Sequence, residues 1–215
     1  MNSLKNRLNK YAASAAAVTA AVAVSGPVSS ANAAIVHSGV INQVIANTTN
    51  GLYVNVVTGQ INEPGNGGGA TVPGWDLNFW SSAGIGMFNP SQPAGGVYVS
   101  TAASTAANMA FGASISAANT FSSNTSSSSA AATAQWNLNS DQNLVGFRFL
   151  HEGTGQVHYG WARLSFGSTV ATRSLVEYAY EDISGGAIEA GVVPAPAALA
   201  LLGMGGLVAG RRRRA

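Results

Sequence analysis

The chain has 215 residues, of which 47% are hydrophobic and only 8% are charged. It contains no cysteine, which excludes disulfide bonds, thiolate metal sites, a cysteine nucleophile and the lipid-modified cysteine of a bacterial lipoprotein. The excess of basic residues belongs to the two ends, because only three of the ten Lys and Arg residues lie between residues 34 and 210.

The N-terminal segment has the three parts of a secretory signal peptide. The basic residues at its start are Lys5, Arg7 and Lys10. Residues 12–24 form an apolar stretch, and Ala31 and Ala33 fit the small-residue pattern that signal peptidase cleaves. We therefore predict a signal peptide over residues 1–33 and export through the Sec machinery.

The predicted mature region is acidic. It keeps Arg148, Arg163 and Arg173 but contains all eight carboxylates of the chain, which gives it a net charge of −5. Binding of nucleic acid depends on basic side chains that neutralise the phosphates. We therefore predict no nucleic-acid partner for this protein.

Residues 34–190 have the pattern of one secreted β domain. Stretches rich in β-branched and aromatic residues, bounded by glycines, predict strands within residues 51–60, 75–80 and 96–101. The clearest unit is an antiparallel meander, with strands predicted at residues 144–150, 157–166 and 173–180. No part of the region shows helical periodicity with caps. We therefore predict an all-β fold, a single antiparallel β-sandwich that is jelly-roll-like.

The meander should contain the core of this domain. Phe147 and Phe149 are two positions apart on its first strand, and Tyr159 and Trp161 are two positions apart on its second, so each pair shares one face. Successive side chains of a strand point to opposite faces. We therefore expect these four aromatic side chains to face inward and to form a large part of the core.

The C-terminal segment, residues 191–215, combines a proline motif, a short apolar stretch and an arginine cluster. The motif consists of Pro194, Ala195 and Pro196, and the cluster consists of Arg211, Arg212, Arg213 and Arg214. The apolar stretch, residues 195–210, would be roughly 24 Å long as a helix, which is shorter than a hydrocarbon core of about 30 Å. We predict a provisional membrane anchor whose arginines stay cytoplasmic.

This combination resembles the PEP-CTERM class of bacterial sorting tails and its VPxPA-type relatives. The type motif of the class has Glu where this chain has Ala195, so the match is to a variant tail. The resemblance implies an exported protein that the tail holds in the inner membrane until an exosortase-like protease removes it. The mature protein would then reach the cell surface or the extracellular space.

Several motifs of the central region resemble those that recur in secreted domains carrying such tails. They are residues 51–59, 72–76, 145–149, 158–161 and 177–181. This second resemblance implies a secreted setting and a domain boundary before the tail. It supplies no catalytic residue.

Two sets of polar side chains are candidates for chemistry. His151, Glu152 and His158 could hold Zn²⁺ across a hairpin, but we favour a solvated loop and a strand histidine, and predict neither a metal nor a cofactor. Asp76 and Glu177 could be the paired carboxylates of a glycosidase, although their spacing does not select them. No H-E-x-x-H, G-x-S-x-G, P-loop or EF-hand pattern occurs, so we predict no catalytic residue.

Four tryptophans are candidates for stacking on sugar rings. They are Trp75, Trp80, Trp136 and Trp161. Tryptophans of a β domain more often belong to the core. We single out Trp75 and Trp80 as the candidate carbohydrate-binding residues.

These observations together predict a non-enzymatic exported protein of the cell surface or extracellular matrix, with a structural or adhesive role. The alternative is a carbohydrate-binding module that acts on exopolysaccharide, and a secreted hydrolase is third. Exposed tryptophans would favour the alternative, and a cleft with convergent carboxylates or histidines would favour the hydrolase. The expected partners are the Sec machinery, signal peptidase, an exosortase-like protease, the inner membrane for a time, and exopolysaccharide.

Overall fold

The computed structural model describes residues 34–64, 72–102, 105–123, 125–127 and 134–193. The predicted signal peptide, the proline motif and the arginine cluster lie outside these residues. Every regular element in the described part of the chain is a β-strand, and all strand pairs are antiparallel. The prediction of an all-β fold is therefore confirmed. Within the same residues, no helix is present that could cross a membrane.

The part of the chain that the structure describes contains fifteen strands. They are β1 (Ile35–His37), β2 (Gln43–Val44), β3 (Leu52–Val54), β4 (Ile61–Asn62), β5 (Leu77–Trp80), β6 (Ile85–Phe88), β7 (Tyr98–Ala102), β8 (Thr105–Ala106), β9 (Ser114–Ile115), β10 (Phe121–Ser122), β11 (Thr125–Ser127), β12 (Ser140–His151), β13 (Gln156–Phe166), β14 (Arg173–Glu181) and β15 (Ile188–Glu189). Of these strands, β12, β13 and β14 are the longest.

Three sheets are built from these strands. The large sheet has eight strands, with β1, β14, β13, β12, β7 and β10 as neighbours in that order, while β2 also pairs with β14 and β8 also pairs with β7. The small sheet has five strands in the order β11, β6, β5, β3 and β4. A separate pair consists of β9 and β15. The predicted meander is present as β12, β13 and β14 at the centre of the large sheet.

The first core lies between the large sheet and the small sheet. Val145, Phe147 and Phe149 of β12 share one apolar cluster with Leu52 of β3 and Phe79 of β5. All five side chains are completely buried. Because burial of a large apolar side chain contributes about 1.5 to 3 kcal/mol, this cluster holds the two sheets face to face.

A glycine makes room for this core. The register of β12 and β13 places Gly160 directly opposite Phe147. A Cβ at Gly160 would lie 2.4 Å from the ring of Phe147 and 2.6 Å from the carbonyl oxygen of Ala179. Such contacts are far inside van der Waals distance, so the Phe147 ring packs directly against the backbone of the neighbouring strand.

The second core lies on the other side of the large sheet. Tyr159 and Trp161 of β13 pack there with Ile115 of β9, Ile188 of β15 and the adjacent Ala190. The pair of β9 and β15 therefore covers the face that the small sheet leaves open.

The expectation of one shared aromatic core is wrong in one respect. All four aromatic side chains are buried, but Phe147 and Phe149 belong to the first core, whereas Tyr159 and Trp161 belong to the second. The register explains the separation, because Trp161 lies opposite Gly146 and not opposite Phe147. Side chains directly opposite each other share a face of the sheet, and the next position along the strand faces the other way.

Candidate functional site

The outer face of the small sheet carries the candidate site. Side chains of β5 alternate, so that Leu77 and Phe79 enter the first core while Asn78 and Trp80 point to the opposite face. The neighbouring strands place Tyr53 and Phe88 on either side of Asn78. The sheet therefore presents a polar side chain with an aromatic side chain on each flank.

We call this surface the aromatic trough and define it by Tyr53, Trp75, Asn78, Trp80 and Phe88. Its central cavity has a volume of about 230 Å³. The cavity is lined by Thr49, Asn50, Tyr53, Asn78, Trp80 and Phe88, none of which is charged. Phe88 remains 41% exposed, whereas Asn78 is only 2% exposed. The trough thus has accessible aromatic walls and an amide at its floor.

Trp80 occupies a space that two glycines leave open. A Cβ at Gly86, which lies opposite Trp80 on β6, would come within 2.8 Å of the atoms Cε2 and Nε1 of the indole. A Cβ at Gly51 would come within 2.4 Å of the Cβ of Trp80, and Gly51 has a positive φ of 67° that favours glycine. The indole therefore lies against the backbone of the sheet, with its outer side toward solvent.

Trp75 joins the trough from the loop before β5. Its ring meets Tyr53 edge-on, with centroids 4.9 Å apart and an interplanar angle of 85°. It is nearly parallel to Phe88, with centroids 5.8 Å apart and an angle of 21°. The structure therefore brings both Trp75 and Trp80, the two candidates from the sequence, to one aromatic surface.

Asn55 holds the loop that carries Trp75. Its Oδ1 accepts hydrogen bonds from the backbone N–H groups of Val57 (3.0 Å) and Thr58 (2.8 Å). Its Nδ2 donates to the carbonyl oxygens of Pro73 (3.1 Å) and Gly74 (2.9 Å). The same nitrogen lies 2.5 Å from Oε1 of Glu152, at the tip of the hairpin between β12 and β13. Asn55 is 2% exposed and so ties this loop to two other parts of the fold.

Replacement of Asn55 by alanine should release the Trp75 loop. The change removes hydrogen bonds to four partly buried backbone groups, each of which contributes about 0.5 to 1.5 kcal/mol. We expect a lower denaturation midpoint together with increased quenching of Trp75 fluorescence by iodide. The matched control is Asn119→Ala, because Oδ1 of Asn119 accepts from Ser116 in a turn away from the trough. A folded Asn55→Ala variant with unchanged quenching would contradict this role.

Asp76 follows Trp75 and is buried in the first core. It is 4% exposed, and its Oδ2 accepts a hydrogen bond of 2.9 Å from the N–H of Val56. Burial raises the pKa of Asp76 to about 7, an effect that the negative charge of Glu152 reinforces and the hydrogen bond from Val56 opposes. The folded protein therefore stabilises the neutral carboxyl group of Asp76 relative to its carboxylate, compared with the unfolded chain.

This shift makes the fold less stable as the pH rises. The unfolded chain releases the Asp76 proton near the ordinary value of 3.8, whereas the folded chain retains it up to about 7. Stability is therefore lost between these two pH values, by up to about 4 kcal/mol at about 1.4 kcal/mol per unit. Asp76→Asn should remove this loss, since the amide oxygen can still accept from Val56. Urea melts between pH 4 and 8 measure the loss of stability, with Asp141→Asn at an exposed position as the control. Identical pH profiles of stability for wild type and Asp76→Asn would refute the role of Asp76.

Glu177 lies on a different side of the large sheet from Asp76. Its carboxylate pairs with Nε2 of His37 at 3.0 Å and with Nε of Arg163 at 2.7 Å. Both of these partners lie beside Trp161, which belongs to the second core. The two carboxylates named as a candidate glycosidase pair are therefore not brought together.

The structure brings two members of the candidate Zn²⁺ set together and directs the third, Glu152, away from them. The rings of His151 and His158 approach to 5.2 Å between centroids. His158 donates from Nδ1 to the carbonyl oxygen of Glu181 at 2.8 Å, while the carboxylate of Glu152 turns away to Asn55. Among the residues described, no group of three or more His, Cys, Asp or Glu side chains is placed to hold a metal ion.

Two of the four tryptophans are core residues. Trp136 is 5% exposed and packs against Phe166, with ring centroids 5.5 Å apart, and Trp161 is completely buried. Trp75 and Trp80 are half-buried. Tyr53, Asn78 and Phe88 were not singled out from the sequence, although the alternation in residues 85–88 is the signal that could have placed Phe88 on the face of Trp80.

Comparison with known protein families, with curated proteins and with solved structures gives no match to this chain.

Proposed function

We propose that this protein is an exported, non-enzymatic protein of the cell surface or extracellular matrix, with an adhesive role. In this proposal the described strands form a single jelly-roll-like β-sandwich between a signal peptide and a C-terminal anchor helix. The first core supports a sandwich, because strands of two antiparallel sheets contribute to one buried cluster. A rigid two-sheet body suits a protein that carries a contact surface into the extracellular space.

The observation that carries the adhesive role is the aromatic trough. Aromatic side chains on an exposed sheet face leave apolar surface in contact with water unless a partner covers it. Tyrosine and tryptophan also supply large, rigid contact area with a polar group at one edge. The trough has these properties and lies on the face of the small sheet that neither core uses.

The same geometry favours a binding role over a hydrolase. Hydrolysis by paired carboxylates needs the two groups about 5 to 10 Å apart, whereas Asp76 and Glu177 lie on opposite sides of the large sheet. The Asp76 carboxyl group accepts a hydrogen bond from the N–H of Val56, and the Glu177 carboxylate pairs with His37 and Arg163. The carbohydrate-binding module therefore stays the second candidate, and it is favoured by the flat presentation of Trp80.

Backbone pairing in the second core reaches Ala190, four residues before the Pro194 motif of the proposed sorting route. Ala190 is completely buried and exchanges hydrogen bonds with the chain before β9, at Gly112 and Ala113. In the proposal the Sec machinery and signal peptidase deliver the protein, the tail holds it in the inner membrane, and an exosortase-like protease releases it close to the folded domain.

The test uses the native host with three versions of the full chain. Wild type, Trp80→Ala and Phe111→Ala are expressed at equal levels, the last being a control at an aromatic residue that is 70% exposed and lies outside the trough. We expect all three to be exported and Trp80→Ala alone to lose retention of exopolysaccharide on the cell surface. Mass spectrometry of the mature protein should show a C-terminus at or after Val193 and before Arg211. Normal retention by Trp80→Ala would refute the adhesive role of the trough, and a mature protein that keeps Arg214 would refute removal of the tail.

A further inference from the structure

The chemistry of the aromatic trough indicates which class of molecule fits it. The indole of Trp80 lies against Gly86 and offers one broad aromatic face. An aromatic face carries partial negative charge and attracts the weakly positive C–H bonds of a partner. A pyranose ring with equatorial hydroxyl groups presents such C–H bonds on its flat side. Trp80 can therefore serve as a platform on which one sugar ring stacks.

The floor of the trough supplies groups that match sugar hydroxyls. Nδ2 of Asn78 donates to the carbonyl oxygen of Asn50 at 2.8 Å, which fixes the amide at the base of the cavity. Thr49 and Asn50 also line the cavity. Amide and hydroxyl groups donate and accept hydrogen bonds, as sugar hydroxyls do. A ring stacked on Trp80 would thus have its edge close to neutral hydrogen-bonding groups.

The charges of the domain argue against an anionic ligand. Arg148, Arg163 and Arg173 are the only basic Lys or Arg residues between residues 34 and 193, and none of them lines the trough. Arg148 donates to the carbonyl oxygens of Gly96 and Ala94, and Arg163 pairs with Glu177. Phosphates and uronic acids would meet a neutral cavity on a domain of net negative charge, where nothing offsets their desolvation.

The size of the cavity argues against a folded protein as the ligand. Its volume of about 230 Å³ is below the 300 to 1,000 Å³ or so of a pocket for a drug-sized molecule. A stable protein interface covers about 800 Å² on each partner, much more than one row of side chains on three short strands. One sugar ring in the cavity, with the rest of the polymer continuing along the open surface, fits the space better than a folded protein does.

We propose that the aromatic trough binds an uncharged pyranose unit of an extracellular polysaccharide, with the sugar ring stacked on Trp80 and its hydroxyl groups directed to the amides around Asn78. This inference rests on the proposed function, since it takes the trough as the adhesive surface, and it adds the class of ligand. Trp75, Tyr53 and Phe88 form the walls beside the ring. Gly86 is a positioning residue, because it allows the indole to lie flat.

The test measures binding of oligosaccharides to the mature protein purified from its host. The probes are three neutral hexasaccharides, made of β-linked glucose, of N-acetylglucosamine and of mannose, and an oligogalacturonate of the same length. Titration calorimetry should detect saturable binding of at least one neutral probe, with binding of the oligogalacturonate at least about tenfold weaker. Tighter binding of the oligogalacturonate, or no binding of any neutral probe, would overturn the inference.

Variants identify the platform. Trp80→Ala should weaken binding by about tenfold or more, while Trp80→Phe keeps a smaller aromatic face and should recover part of the affinity. Gly86→Ala should also weaken binding, because the new methyl group displaces the indole, and Phe111→Ala should not change it. A thermal melt of each variant shows whether it is folded. If Trp80→Ala is unfolded, the affinities of Gly86→Ala and Trp80→Phe test whether the sugar stacks on Trp80. Unchanged affinity in folded Trp80→Ala or Gly86→Ala would contradict the stacking role.

The outcome separates this inference from the proposed function. Loss of polysaccharide retention by Trp80→Ala cells, without binding of any neutral hexasaccharide, would leave the adhesive role standing and reject the neutral ligand. Normal retention by Trp80→Ala cells would reject both.

Discussion

Replacement of Trp161 by alanine is expected to lower the free energy of unfolding by about 3 to 5 kcal/mol. The side chain is completely buried and is the largest member of the second core, where it packs with Ile115 and Ile188. A domain of this size is stable by about 5 to 15 kcal/mol, so the loss is a large share of the total. Denaturation by urea, followed by circular dichroism, measures the change in midpoint.

The control for this prediction is Trp161→Phe. Within the described part of the chain, Nε1 of Trp161 has no hydrogen-bond partner, so its role is packing alone, and a smaller aromatic ring should restore much of the stability lost in the alanine variant. Trp80→Ala should have a much smaller effect on the midpoint, since Trp80 is half-buried. If Trp161→Ala kept the wild-type midpoint but lost binding of polysaccharide, Trp161 would be a ligand platform and the assignment of the second core would be wrong.

Arg173→Met should also destabilise the fold, by about 3 kcal/mol or more, because it removes a charged donor from several backbone carbonyl groups. Arg173 belongs to β14, is 3% exposed and donates to four backbone carbonyl oxygens. The acceptors are Gly84, Val170, Ala46 at 3.1 Å and Ser81 at 2.6 Å. Ser81 and Gly84 belong to the turn between β5 and β6, and Ala46 lies between β2 and β3. The guanidinium group therefore links the large sheet to the turn that follows Trp80 and to the segment before β3.

Arg173→Met is costly because the backbone carbonyl groups that accept from Arg173 lose their donor while they stay shielded from water. Methionine has a similar length but donates no hydrogen bond, and buried carbonyl groups without partners are costly. Burial lowers the pKa of Arg173 to about 10, against the opposing effect of Glu63, so the group remains charged at neutral pH. The control is Arg148→Met, which removes two hydrogen bonds at a half-buried position. Equal midpoints for the two variants would show that the link through Arg173 contributes little.

The long strands of the fold could be predicted from the sequence, and the short ones could not. Strands β12, β13 and β14 have between 9 and 12 residues with alternation that a single sequence reveals. Strands such as β4 and β6 have only 2 and 4 residues, and their pairing depends on contacts with distant segments. The side of the sheet on which Trp161 lies was missed for a similar reason. Each face of the large sheet carries a core, so an apolar pattern shows that Trp161 is buried but not which core it joins.

The candidate site could be predicted only in part. Trp75 and Trp80 were named from the sequence, and the structure places both at one surface. Their separation from Trp136 and Trp161 depends on which layer covers each ring, and no local pattern contains that information. The role of Gly86 could not be predicted from the sequence either. Its lack of a side chain makes room for the indole of Trp80 only because the register of β5 and β6 places the two residues opposite each other.

The most direct test of the proposed adhesive trough is the protection of its tryptophans by exopolysaccharide from the native host. Iodide quenching of fluorescence is measured with and without the polymer in wild type, Trp75→Phe and Trp80→Phe, while Trp136 and Trp161 stay inaccessible in the cores. We expect the polymer to reduce quenching in wild type, and to reduce it less when Trp80 is replaced. Unchanged quenching in wild type at a polymer concentration that saturates cells would contradict the proposal that this surface is the site of adhesion.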